Sequence, residues 1–283
     1  MDMKYIIGII VALIVIVGAY LVLAGSGSGQ EETITIVGST SVQPVAEQLA
    51  TEYMKSHPNV KVTVQGGGSS VGIKSAQDGT ANIGTSSKNL KANESEGLTQ
   101  WQIGLDGIAI VVNNENNLTG LTMDQVKGIF TGEITNWKEV GGPDAEINVV
   151  IREEGSGTRD AVQEIVLGKD SSGNKVAFVS DAIVQSSTEA VQQAVAQDPN
   201  AIGFISFASV SDTKALQIDG VTPSEDTVLD GTYKIQRPFL FLVKGDLTGA
   251  VKEFVDWVNG SDGQAIIKSE KVVPTGVEVN STS

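Results

Sequence analysis

The stretch Arg152-Glu153-Glu154-Gly155-Ser156-Gly157-Thr158-Arg159-Asp160 sets two arginines, a serine and a threonine around two glycines. Guanidinium forks and hydroxyl donors are the groups that hold a small tetrahedral oxyanion. The apolar run before it, 147–151, reads as a strand. After it, Ala161, Val162, Ile165 and Val166 fall on one face of a helix. The loop therefore opens a helix, where backbone N–H groups lack internal partners and the dipole favours an anion. Gly155 and Gly157 let the backbone come close to a ligand. Taken alone, the loop is equally well explained by Ser156 capping the helix while the arginines pair with Glu153, Glu154 and Asp160. It is not a Walker loop, because no Gly-Lys-Ser/Thr follows, nor a Gly-x-Ser-x-Gly nucleophile elbow.

Two more stretches repeat the pattern. An alternating strand at 33–37 leads into Gly38-Ser39-Thr40-Ser41 and a helix over 44–55, with Pro44 in the first turn. A second strand at 60–64 leads into Gly66-Gly67-Gly68-Ser69-Ser70 and a helix over 71–77. A short strand then ends in Thr85-Ser86-Ser87. One such loop is a helix cap. Three of the same chemistry, at the strand ends where α/β sheets gather ligands, predict a shared oxyanion cradle.

The elements that must position these loops alternate strand and helix. The segment 104–112 is apolar apart from Asp106, a carboxylate that needs an arginine or backbone N–H partner there. A helix over 122–130 follows, and Trp137 reads as packing. Ser187–Ala196 reads as an amphipathic helix capped by Ser187 or Thr188. Apolar strands stand at 201–206 and 238–243, and helices at 248–258 and 263–269. Residues 108–112 and 238–243 are read as crossings between two lobes. Residues 31–112 with 237–283 form lobe 1, and 113–236 form lobe 2. A ligand held by loops from both lobes would draw the cleft shut.

Composition narrows the function. The chain of 283 residues carries a formal net charge of −15, which does not suit nucleic acid or an anionic membrane surface. It has no cysteine and one histidine, His57, read as a surface residue at a helix stop. Thiolate metal sites and histidine relays are thereby excluded, and no metal or cofactor is expected. After Lys4 an uncharged apolar run, 5–24, is long enough to span a bilayer as an anchor, or to act as a signal. A Gly/Ser tether follows at 25–32. Lys4 before the span and Glu31 and Glu32 after it put the body on the outer face of the membrane.

Together, Val37-Gly38-Ser39-Thr40-Ser41, Gly66-Gly67-Gly68-Ser69-Ser70, Asn82-Ile83-Gly84-Thr85-Ser86-Ser87 and Arg152 with Gly155-Ser156-Gly157-Thr158-Arg159 resemble the substrate-binding protein of phosphate ABC importers. The resemblance runs from Thr33 onward. It implies a two-lobed α/β periplasmic-binding-protein-like fold behind the N-terminal transmembrane helix. It also implies a monomer that binds inorganic phosphate, works with ABC permease subunits and is not an enzyme. It assigns Thr40 and Ser41, with Ser39, as first-loop donors and Ser69 as the second-loop hydroxyl. Arg152 is the charged clamp, and Ser156, Gly157 and Thr158 are the facing helix N-terminus. Better-known members carry a proton-accepting aspartate where this chain has Ser87, and glycine where it has Asp106. Asp106 is therefore expected to accept the phosphate proton, unless it only orients Arg152 or caps a strand end. The competing readings are a receptor for sulfate, molybdate or tungstate, and a serine phosphoester hydrolase.

Overall fold

The computed structural model describes residues 31–279. The apolar run 5–24, and the tether up to residue 30, lie outside them. Among the described residues no helix is long and apolar enough to cross a membrane.

The chain begins with β1 (Glu32–Gly38), α1 (Gln43–Ser56), β2 (Val60–Gly66), α2 (Ser69–Asp78) and β3 (Ile83–Ser86). β1 pairs in parallel with both β2 and β3. In α1 the buried residues Val45, Ala46, Leu49, Ala50 and Tyr53 form one stripe, which packs on this sheet. Pro44 stands in its first turn, as expected. A short α3 (Ala92–Ser95) leads to β4 (Leu98–Val112), which is longer than the apolar segment that announced it.

The middle of the chain holds β5 (Gly120–Leu121), α4 (Met123–Thr131), a 3-10 turn at Trp137–Val140 and β6 (Asn148–Arg152). α5 (Gly157–Val162) then runs directly into a π-helical turn, Gln163–Leu167. The wider turn shifts the apolar face by one position. Val166 and Leu167 are buried, while Ile165, expected inside, is exposed. Next come β7 (Ile183–Gln185), α6 (Thr188–Gln197), β8 (Ala201–Ser206), β9 (Lys214–Ala215), β10 (Gln217–Ile218) and α7 (Glu225–Leu229). The chain closes with β11 (Gln236–Lys244), α8 (Gly249–Asn259), α9 (Ser261–Ser269) and β12 (Val273–Val279).

The main sheet runs β2-β1-β3-β11-β4-β8-β6-β7, with β12 and β9 also on β4. β4 joins its two halves. Its first part pairs with β11 and β12, and its last residues, Ile108–Val112, pair with β8. Two hydrophobic cores flank this junction and define two lobes. Ile34, Ile36, Leu49, Tyr53, Phe239, Phe241 and Phe254 are in one, and Phe130, Trp137, Ile202 and Phe204 in the other. Trp137 is packing, as read, and its indole N–H donates to the Asn200 carbonyl at 3.0 Å. The strands expected to be crossings are interior strands on either side of the junction. The chain passes between lobes at their near ends, where the Ile108 N–H donates to the Ile235 carbonyl at 2.7 Å. His57 is half-buried rather than free on the surface, its ring stacked on Tyr53 at 3.8 Å.

Candidate oxyanion-binding site

Four helix N-termini point into the gap between the lobes. α1 and α2 come from the first lobe, with no acidic residue in either first turn. α5 and α6 come from the second. β1, β2, β3, β6 and β7 all end at this gap, so the loops after them converge there. The predicted hydroxyls meet there, within the first lobe and across to the second. Ser41 Oγ lies 3.1 Å from Thr158 Oγ1. The Ser39 hydroxyl donates to Ser87 Oγ at 2.9 Å. Ser69 Oγ is 3.4 Å from Ser87 Oγ and accepts the Ser87 N–H at 3.1 Å. Ser39, Ser41, Ser69, Ser87, Ser156 and Thr158 are all buried, and Thr40 is half-buried.

Ser156 does cap α5, accepting the Arg159 N–H at 3.3 Å, which leaves its own O–H hydrogen to donate. The capping account and the site account therefore hold together. Gly157 is fixed by space. A Cβ there would overlap Ser69 Oγ and come within 2.7 Å of Ser87 Oγ. A side chain would thus prop the lobes apart. Gly68 and Gly155 adopt positive φ, 90° and 88°, and face each other. Beside them the Ser70 N–H donates to the Gly155 carbonyl at 3.1 Å, a backbone bond between lobes.

Arg152 is buried at the end of β6. Its Nε and Nη2 each donate at 2.8 Å to a different oxygen of Glu153, and its Nη1 donates to Thr188 Oγ1 at 3.3 Å. Thr188 opens α6 and lies 3.2 Å from Thr40 Oγ1 and 3.0 Å from Ser41 Oγ. The sequence reading treats this residue only as a possible cap. Ser187 is the cap, accepting the Ala190 N–H at 3.0 Å, and Thr188 belongs to the cradle.

Arg237 is the second residue the sequence reading misses. It is buried, and its Nη1 donates to Thr158 Oγ1 at 2.5 Å, Ser87 Oγ at 3.2 Å and the Ser87 carbonyl at 3.3 Å. The structure also corrects the expectation for Asp106. Its Oδ1 accepts the Ser206 O–H at 2.7 Å. Its Oδ2 accepts Nε and Nη2 of Arg237 at 3.1 and 3.0 Å, and the Ala208 N–H is a further donor. Four donors fill the lone pairs of a carboxylate, so Asp106 has no acceptor left for a ligand proton. It orients an arginine, and that arginine is Arg237, not Arg152. Burial pushes the Asp106 carboxyl above its ordinary value against the pull of Arg237, Ser206 and Ala208, and burial pulls the Arg237 guanidinium down.

At the rim, Arg159 pairs with exposed Glu154 at 2.5 Å and donates to the Arg152 carbonyl. Asp160 takes a different partner from the one expected. Lys88, from the first lobe, reaches it across the gap at 2.6 Å and also holds Glu94 at 2.8 Å. Burial lowers the Lys88 ammonium, but these two bonds outweigh it and hold the group above its ordinary value.

Two α/β lobes, with hydroxyl-bearing helix N-termini facing each other across the gap, define a two-lobed receptor for a small solute. A family model for the PBP superfamily domain matches residues 24–262. The phosphate-binding protein PstS of Bacillus subtilis is 34% identical over 88% of this chain and 84% of its own length. PstS of Borreliella burgdorferi is 30% identical over 92% and 96%. A crystal structure from Clostridium perfringens, with bound phosphate and assigned to phosphate ABC transport as a substrate-binding protein, is 40% identical with a TM-score of 0.82. The match covers 86% of this chain and all of that one. The chain belongs to the PstS family of phosphate-binding proteins within the PBP superfamily, a family of receptors and not of enzymes.

Proposed function

We propose that this protein captures inorganic phosphate in the interlobe cleft and delivers it to an ABC importer. One observation carries the reading. Hydroxyls at the N-termini of α1, α5 and α6 already touch one another across the gap, with the α2 hydroxyl against Ser87 beside them and two buried arginines behind. A tetrahedral anion has oxygens enough to address all four N-termini at once, and contacts made only in the closed state favour closure. In this reading the ligand is held by Ser39, Thr40, Ser41, Ser69, Ser87, Arg152, Ser156, Gly157 and Thr158. Thr188 and Arg237 join them, and Asp106 orients Arg237. Residues 31–112 with 237–283 act as one lobe and 113–236 as the other. The receptor works as a monomer on the outer face of the membrane, held by residues 1–24 as an anchor and the 25–32 tether. Another tetrahedral oxyanion is the second reading, favoured by a cradle of hydroxyls, N–H groups and guanidiniums that any such anion would satisfy. Calorimetric titration of residues 31–283 with phosphate tests the proposal: saturable one-to-one binding is expected, and no heat at millimolar phosphate would overturn it.

A further inference from the structure

Each carboxylate around the cradle already has a cation, four cations serving five carboxylates. Asp106 is taken by Arg237, Glu153 by Arg152, Glu154 by Arg159, and Asp160 by Lys88 together with Glu94. On the helices that open into the gap, Glu47 and Glu189 are exposed and occupied by the amides of Gln43 and Gln193. Glu164 is exposed and lines a small cavity with Lys88, Lys234 and Arg237. Among the described residues, then, no carboxylate oxygen faces the hydroxyls without a cation already on it. The groups left to meet a ligand are neutral hydroxyls and N–H groups, with two guanidiniums behind them. Such donors read shape and charge but have no fixed anion with which to sense a ligand proton.

Resting on the reading of the cleft as the phosphate site, we infer that it recognises a tetrahedral dianion, hydrogenphosphate or sulfate, and does not use the one remaining phosphate O–H to tell the two apart. A carboxylate in the cradle would accept the phosphate O–H and repel a bare sulfate oxygen, a discrimination of about a thousandfold or more. Here that repulsion is absent. Affinity follows the dianion, and sulfate becomes a competitor set apart only by size and hydrogen-bond fit.

The test is calorimetric titration of residues 31–283 with phosphate and with sulfate at pH 6 and pH 8. The second ionisation of phosphate lies near neutrality, so its affinity should rise roughly tenfold between the two by linkage. Sulfate affinity should stay level and lie within about a hundredfold of phosphate at pH 8. A Glu153→Gln protein should keep the same phosphate-to-sulfate ratio, which addresses the nearest carboxylate that could turn toward the ligand. Phosphate binding that is flat or stronger at pH 6, sulfate weaker by about a thousandfold or more, or a ratio that collapses in Glu153→Gln would overturn the inference while leaving the phosphate site intact. Failure to bind phosphate at either pH would overturn both.

Discussion

Replacing Arg237 by methionine separates what this residue does for the fold from what it does for the ligand. The guanidinium is buried against Asp106, directly across the β4–β11 ladder, with two of its N–H groups on one carboxylate oxygen. Methionine fills similar space but leaves Asp106 buried without its counter-ion, which typically costs about 3–5 kcal/mol. At about 2–4 °C per kcal/mol for a chain of this size, the melting point should fall by about 6–20 °C at neutral pH. The loss depends on pH with a definite sign. Burial already holds the Asp106 carboxyl above its ordinary value, and without Arg237 it rises further. A carboxyl with a raised folded-state pKa contributes stability that is fully present below its unfolded value, about 3.9, and is lost as pH rises through the folded value. The gap between wild type and Arg237→Met should therefore widen from pH 5 to pH 8. The double variant Arg237→Met/Asp106→Leu removes both charges and should recover most of the stability. It should not recover phosphate affinity, which should stay down about a hundredfold for want of the donor near Ser87 and Thr158. Denaturation scans and calorimetry on the three proteins measure both quantities. A single variant as stable as wild type at pH 8, or a double variant that binds phosphate normally, would refute the roles assigned to the pair.

Three further outcomes follow from the site. Arg152→Ala removes a buried donor at the end of β6 and should weaken phosphate at least about a hundredfold by calorimetry, with the fold intact by circular dichroism. Gly157→Ala puts a methyl group against Ser69 and Ser87; it should abolish tight binding while leaving the ligand-free melting point near wild type, and retained affinity would show that the lobes do not meet there. Lys88→Met cuts the bridge to Asp160 and should speed phosphate release about tenfold, the order of a charge-assisted bond worth about 1.5 kcal/mol, with little change in the association rate by stopped flow.

The loops were legible because their chemistry repeats: a strand, then glycines and hydroxyls, then a helix. Arg237 and Thr188 were not, for different reasons. Thr188 looks like any residue beside a helix cap, and nothing local says that α6 starts at the cleft. Arg237 and Asp106 are single charges at the near ends of the two apolar strands that bracket the middle of the chain. Their opposite signs were a usable signal for antiparallel neighbours, but only once β4 and β11 are known to pair. Asp106 turns out to face Arg237, and in sequence a carboxylate at a strand mouth looks the same whether it faces a ligand or an arginine. The π turn after α5 was invisible as well, since Ile165 and Val166 satisfy an ordinary helical period while only one of them is buried.

The most direct test of the central claim is a crystal structure grown with arsenate, a heavier tetrahedral stand-in for phosphate that anomalous scattering locates without ambiguity. The account predicts one arsenic peak between the N-termini of α1, α2, α5 and α6, with the anion's oxygens bonded to Thr40, Ser41, Ser69, Arg152, Thr158 and Thr188. A peak outside the interlobe gap, or a site contacting residues of one lobe only, would contradict it.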